Sequence, residues 1–126
     1  MAALKDYTTI CNSAPSEFLA EVAMRNRQKL VDRNLGIIKD NLSVMDEFFA
    51  RHADLFSWVR PQAGSMGFPR LLKGDIAEFC DSLVKKAGVL LLPGSAYDDS
   101  SNHFRLGLGR KNLPQAVSRL EEFLYK

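Results

Sequence analysis

At 126 residues, with 46% apolar and 25% charged side chains, the chain can bury one ordinary core and is too balanced for a disordered or collagen-like polymer. A formal net charge of +2, without a basic cluster interleaved with aromatics, argues against nucleic acid as a partner. The longest apolar run, Val89–Leu92, is far too short to span a membrane, and no basic segment followed by a long apolar one opens the chain as a signal peptide would. Cys11 and Cys80 lack metal-ligand spacing and the two histidines are unclustered, so the expectation is a reduced, cytoplasmic protein without a structural metal.

Ser13 can cap a helix, and Pro15 fits the first turn, where its missing N–H costs nothing. A helix near Pro15–Arg25 is expected to lead into a long one ending around His52. Leu35, Ile38, Leu42, Met45 and Phe49 recur at spacings of three and four and make one packing stripe. Trp58–Gln62 and Met66–Leu72 read as short strands around an Ala63-Gly64-Ser65 turn. Pro69 cannot donate to a ladder and so marks an edge or a bulge.

Asp75, with Glu78 three residues on, predicts a capping box, and Gly88 a left-handed helix end. Between them Ile76, Phe79, Cys80, Leu83 and Val84 line an apolar face, which makes Cys80 a buried structural thiol rather than a nucleophile. Val89–Leu92 shows no alternation and reads as a strand buried on both sides, or short and central. Pro93-Gly94 turns into the polar loop Ser95–Asn102. Asn112 and Pro114 open a last helix with Val117, Leu120 and Phe123 inward. The order of elements predicts an α+β fold: a few-stranded mixed sheet with helices packed on it, preceded by a long interdomain helix.

The most informative stretch is the strand His103–Gly109. Its alternation puts Phe104, Leu106 and Leu108 on one face and Arg105, Gly107 and Gly109 on the other. An arginine beside two residues without side chains has room for a ligand, and its planar fork matches a carboxylate through two parallel charge-assisted hydrogen bonds. A solvated arginine on an ordinary amphipathic strand fits the alternation equally well. His103 flanks this strand. Asp98 and Asp99 read as solvated loop carboxylates with no histidine partner. Ser95 lacks the setting of a nucleophile elbow, and no glycine-rich phosphate loop precedes a helix. These residues make one anion-binding arginine and no catalytic constellation.

The run GVLLLPG, a polar loop, then HFRLGLGR and NLPQAVSRLEEFL, resembles the carboxyl-terminal end of class I/II aminotransferases, pyridoxal-phosphate (PLP) enzymes of fold type I. DYTTICNSAPSEFLAEVAM resembles the family's passage out of its large domain, and FSWVRPQAGSMGFPRL its two small-domain strands. The likeness runs from about Lys5 to Leu124. It implies that residues 1–52 are the end of the large domain with interdomain helices, and that 53–126 are the small domain. It also implies that Arg105 grips the α-carboxylate of the substrate. By the same likeness the parent is a cytoplasmic homodimer exchanging an amino group between an amino acid and a 2-oxo acid.

The family's Schiff-base lysine and phosphate-binding residues precede this segment. None of the present lysines sits in the family's Ser-x-x-Lys setting, Ser82 and Lys85 sharing only its spacing inside the expected Asp75–Gly88 helix, so neither catalytic nor cofactor-binding residues are expected here, and the chain alone is expected to be inactive. SMGFPRL departs from the family's glycine–aromatic pattern, which leaves side-chain specificity open. Two alternatives stay open: another fold type I enzyme (lyase, decarboxylase or synthase), and a non-catalytic α+β ligand-binding or interaction module.

Overall fold

The computed structural model describes residues 13–125; Cys11 and the opening of the aminotransferase-like segment lie outside them. Two compact units part between Asn34 and Leu35. The first contains α1 (Ala14–Arg25) and the opening turns of α2 (Arg27–Arg51). Pro15 sits in the first turn of α1 as expected, whereas the Ser13 hydroxyl makes no capping bond. No residue of α1 is buried: Phe18 and Leu19 stand 65% and 66% exposed.

The second unit runs through the rest of α2, β1 (Phe56–Ser57), β2 (Met66–Gly67), β3 (Arg70–Leu71), α3 (Ile76–Ala87), β4 (Leu92–Pro93), a short 3-10 helix (Gly94–Tyr97), β5 (Phe104–Gly107) and α4 (Leu113–Leu124). Strands β2, β5 and β4 form one sheet with β5 central, and β1 and β3 form another. The α+β class holds. Every pairing is antiparallel rather than mixed, as short connections and hairpins allow.

The helical stripe is buried only in its second half. Leu35 is exposed, while Met45 and Phe49 are buried together with Phe48 and Asn41. Asn41 is the polar exception on this face. Its Nδ2 donates to the carbonyls of Leu108 and Arg110, both at 2.8 Å, tying α2 to the end of the β5 segment. Phe104, fully buried, meets Phe56 edge-on with ring centroids 5.9 Å apart. Burying an aromatic of this size stabilises the fold by about 1.5–3 kcal/mol. At its far end α2 is tied to α4 by the Arg51–Glu121 ion pair.

Three local expectations change. Trp58–Gln62 is not a strand; pairing ends at Ser57 because Trp58 turns its ring onto Phe49 (4.7 Å, stacked) and its indole N–H donates to Asp46 (2.8 Å). Met66–Leu72 is interrupted at Phe68-Pro69, dividing into β2 and β3 in different sheets. The register nevertheless runs unbroken, Met66↔Gly107, Gly67↔Leu106, Arg70↔His103. Pro69 thus removes a donor without inserting a residue, and no bulge forms. Val89–Leu92 is neither buried on both sides nor central: Val89 and Leu91 are buried but Leu90 is 79% exposed, and the strand there, Leu92–Pro93, is short and lies at the edge of its sheet.

Of the expected caps, Asp75 forms, its carboxylate accepting from the N–H groups of Ala77 and Glu78 at 2.9 and 3.0 Å, without a return bond from Glu78. Gly88 adopts φ 65° as the left-handed end. Asn112 has φ −92° and ψ 15°, outside the extended conformation of a capping residue, and makes no cap bond. Cys80 is buried on α3, and burial, then the Asp75 charge, pushes its thiol up to about 11. Among the described residues no helix is long and apolar enough to cross a membrane.

Candidate functional site

The site is built on β5. Phe104 and Leu106 turn inward and Arg105 and Gly107 outward, the alternation expected of this segment, with regular pairing confined to Phe104–Gly107. Its neighbour β2 brings Met66 opposite Gly107. Gly107 has no side chain and nothing stands within 4 Å of where a Cβ would lie, and the Met66 sulfur accepts from Arg105 Nε at 2.8 Å. Met66, Gly67, Phe68, Tyr97 and Arg105 line a cleft of about 300 Å³. One cationic fork therefore stands among apolar side chains, a setting that favours an anion carried on an organic body.

Tyr97 comes from the other flank. The chain leaves the sheet at β4, which pairs Leu92↔Arg105 and Pro93↔Phe104, makes one 3-10 turn, and presents Tyr97 beside the strand. The Tyr97 hydroxyl accepts from Arg105 Nη1 at 2.7 Å. The loop that positions Tyr97 is closed at its neck, where the Gly94 N–H donates to the His103 carbonyl at 2.7 Å. A side chain at Gly94 would put its Cβ 2.6 Å from Asp99 Oδ2 and 2.9 Å from that carbonyl oxygen, so glycine is required. Asp98 and Asn102 take positive φ at 58° and 62°, a conformation Asp and Asn tolerate better than most residues.

Asp99 departs from expectation. It is not a free solvated carboxylate: the Ser101 hydroxyl donates to its Oδ1 at 2.5 Å, and His103 Nδ1 lies 3.1 Å from its Oδ2. These two partners, Ser101 first, hold its carboxyl below the usual range. The histidine that primary structure did not pair with it is four residues away across the loop neck. The His103 ring also stacks on Phe68 at 5.0 Å and 7°, which links the loop to the cleft wall. Asp98 has no part in this cluster.

Arg110 lies elsewhere, beside a separate hollow with Asn112 and Arg119. Its carbonyl, not its guanidinium, is what the fold uses. Sequence reasoning missed Tyr97, Met66 and Phe68 as neighbours of Arg105. Tyr97 is eight residues away around a loop with no periodicity, and Met66 and Phe68 can be placed only once the β2–β5 register is known. Among the described residues neither lysine nor carboxylate lines the cleft.

No family model matches the chain. Among curated proteins, capreomycidine synthase of Streptomyces vinaceus is 26% identical over 124 residues, 96% of this chain and 32% of that enzyme. Among solved structures, a PLP-dependent aminotransferase from Streptococcus suis is 28% identical, with a TM-score of 0.87 over 98% of this chain and 33% of its own. The PLP-dependent cyclase OrfR is 27% identical, with a TM-score of 0.85 over 98% of this chain and 35% of its own. The chain has the fold of the carboxyl-terminal small domain of fold type I PLP-dependent enzymes, aminotransferases among them. It spans about a third of the length of the proteins it matches.

Proposed function

We propose that this chain supplies the substrate-carboxylate grip of a PLP-dependent aminotransferase, which moves an amino group from an amino acid to a 2-oxo acid. The observation that carries the reading is the outward face of β5, where Arg105 stands beside Gly107 in a cleft walled by Met66, Phe68 and Tyr97. The guanidinium binds and orients the α-carboxylate. The flanking side chains exclude water from one side of it, which strengthens the charge-assisted bonds.

When bound, PLP serves such enzymes as an electron sink for the amino acid's α-carbon. The residues around Arg105 do not fit that group: among the described residues the cleft has no lysine, no carboxylate and no glycine-rich turn opening a helix. No step through the cofactor is assigned to them, and its site belongs to other parts of the parent protein.

A second reading is a ring-forming or synthase reaction on the same kind of substrate. The resemblance to capreomycidine synthase and to the cyclase OrfR, at 26% and 27% identity against 28% for the aminotransferase, favours it. The protein expressed from its complete coding frame, loaded with PLP and given single amino acids with and without a 2-oxo acid, separates the two. Amino-acid consumption that requires the 2-oxo acid and forms its amino counterpart supports transfer. A dehydrated or cyclised product formed without any 2-oxo acid overturns it in favour of the second reading.

A further inference from the structure

We infer that Tyr97 is a positioning residue for the Arg105 grip: its hydroxyl takes up one Nη1–H and leaves the outer end of the guanidinium as the face offered to a carboxylate. The inference rests on the reading of Arg105 as a carboxylate grip and adds to it how the fork is aimed. An arginine side chain has many rotamers, and ordering it costs up to about 2 kcal/mol in lost freedom. On β5 nothing on its own outward face restrains it, because Gly107 has no side chain. The restraint is lateral. Tyr97 accepts from Nη1 at 2.7 Å and the Met66 sulfur lies against Nε at 2.8 Å. With Nε and one Nη1–H engaged, one Nη1–H and both Nη2–H groups remain to donate to a carboxylate.

Tyr97 is itself held. It ends a 3-10 turn whose start is fixed by the Gly94–His103 bond and whose return is braced by the Asp99–Ser101–His103 cluster. The charged and titratable groups of this loop, Asp98, Asp99 and His103, are not what Arg105 bonds. A neutral phenol is the group that meets the arginine, so the fork is oriented without its charge being neutralised before a substrate arrives. A carboxylate in that place would have competed with the ligand.

The test is nuclear magnetic resonance on the isotope-labelled full chain, with phenylpropionate as probe, a carboxylate on an apolar body that suits this cleft. In the unsubstituted chain the Arg105 guanidinium should show restricted rotation, with resolved Nη resonances. Arg110 and Arg119, whose guanidinium groups make no hydrogen bond among the described residues, should show averaged ones. Tyr97→Phe keeps the ring and removes the acceptor. It should average the Arg105 resonances and weaken phenylpropionate roughly 3- to 10-fold, the loss of one hydrogen bond's worth of preorganisation, while backbone signals of β2 and β5 stay in place.

If Arg105 is as averaged as Arg110 in the unsubstituted chain, or if Tyr97→Phe leaves both its dynamics and the probe affinity unchanged, the positioning role is refuted. The first of these measurements needs no substitution and so survives a variant that fails to fold. Arg105→Lys addresses the underlying reading separately. If it binds the probe as well as the parent chain, or if the parent chain does not bind the probe, the carboxylate-grip reading is overturned whatever Tyr97 does.

Discussion

Replacing Asn41 should unfasten the end of the Arg105 strand from the long helix. Asn41 is 3% exposed, and its amide donates to the carbonyls of Leu108 and Arg110 at 2.8 Å each. Each such bond contributes about 1 kcal/mol net, and leaving a buried carbonyl without a donor costs a further 1–3 kcal/mol or so. The Arg110 carbonyl keeps the Leu113 N–H at 3.3 Å, so the orphan in Asn41→Ala is chiefly that of Leu108. The expected loss is about 3 kcal/mol.

Asn41→Asp sharpens the test, because an ionised carboxylate would face two carbonyl oxygens, which raises its folded pKa above the unfolded value of about 3.9. The favourable protonated form is present below the unfolded pKa and lost as pH rises through the folded one. The Asp variant should therefore be less stable than the Ala variant near pH 7 and recover against it near pH 4 or below. Urea unfolding followed by the fluorescence of Trp58, the sole tryptophan, stacked on Phe49, reads both. An Ala variant within about 1 kcal/mol of the parent, or an Asp variant with no pH-dependent recovery, would refute the reasoning.

In the complete enzyme, Arg105→Lys should lower kcat/KM for the amino acid by roughly 2–4 kcal/mol, since a point ammonium cannot reproduce a two-pronged contact. Arg110→Lys should cost less than about 1 kcal/mol, and steady-state kinetics showing the reverse order would remove Arg105 from the site. Because burial raises the Cys80 thiol from 9.0 to about 11, its contribution to stability is full below pH 9 and lost as pH rises from 9 to 11. Cys80→Ala should flatten that part of the pH–stability curve, and an unchanged curve would speak against burial as the cause. Mixed with PLP and reduced with borohydride, the chain alone should yield no stoichiometric adduct on one lysine, as peptide mapping would report. With Phe18 and Leu19 uncovered on α1, light scattering should show an apparent mass that rises with concentration, and a constant monomer would show that α1 does not recruit a second copy.

Much of the second unit was legible in the sequence, for reasons that are local. Alternation at Phe104, Leu106 and Leu108, the Asp75 cap and the Gly88 stop each need only neighbours within a few residues, and each appears as read. One misreading is a place where a distant side chain decides, the other a local alternation hidden in an all-apolar run. Trp58 leaves its strand for Phe49 and Gly67, and Leu90 turns outward although its neighbours Val89 and Leu91 are buried. The site divides the same way. Arg105 stands out because its own strand empties the face around it, whereas Tyr97 and Phe68 reach it by loop closure and strand register. Asn41, polar on an otherwise apolar stripe, carried a signal that periodicity alone passes over.

The pinch at Gly94 and His103 has an evolutionary consequence. Chain enters and leaves the Ser95–Asn102 excursion through a hydrogen-bonded gate, so the strands that carry Arg105 are already joined when the excursion begins. Doubling the length of a flexible loop closed in this way costs only about 0.6 kcal/mol. Residues could be inserted or exchanged beyond Tyr97, reshaping what stands at the rim of the cleft, while the arginine keeps its place. On the carboxylate-grip reading, variation of that kind separates how a lineage recognises the shared end of its substrates from how it tells them apart.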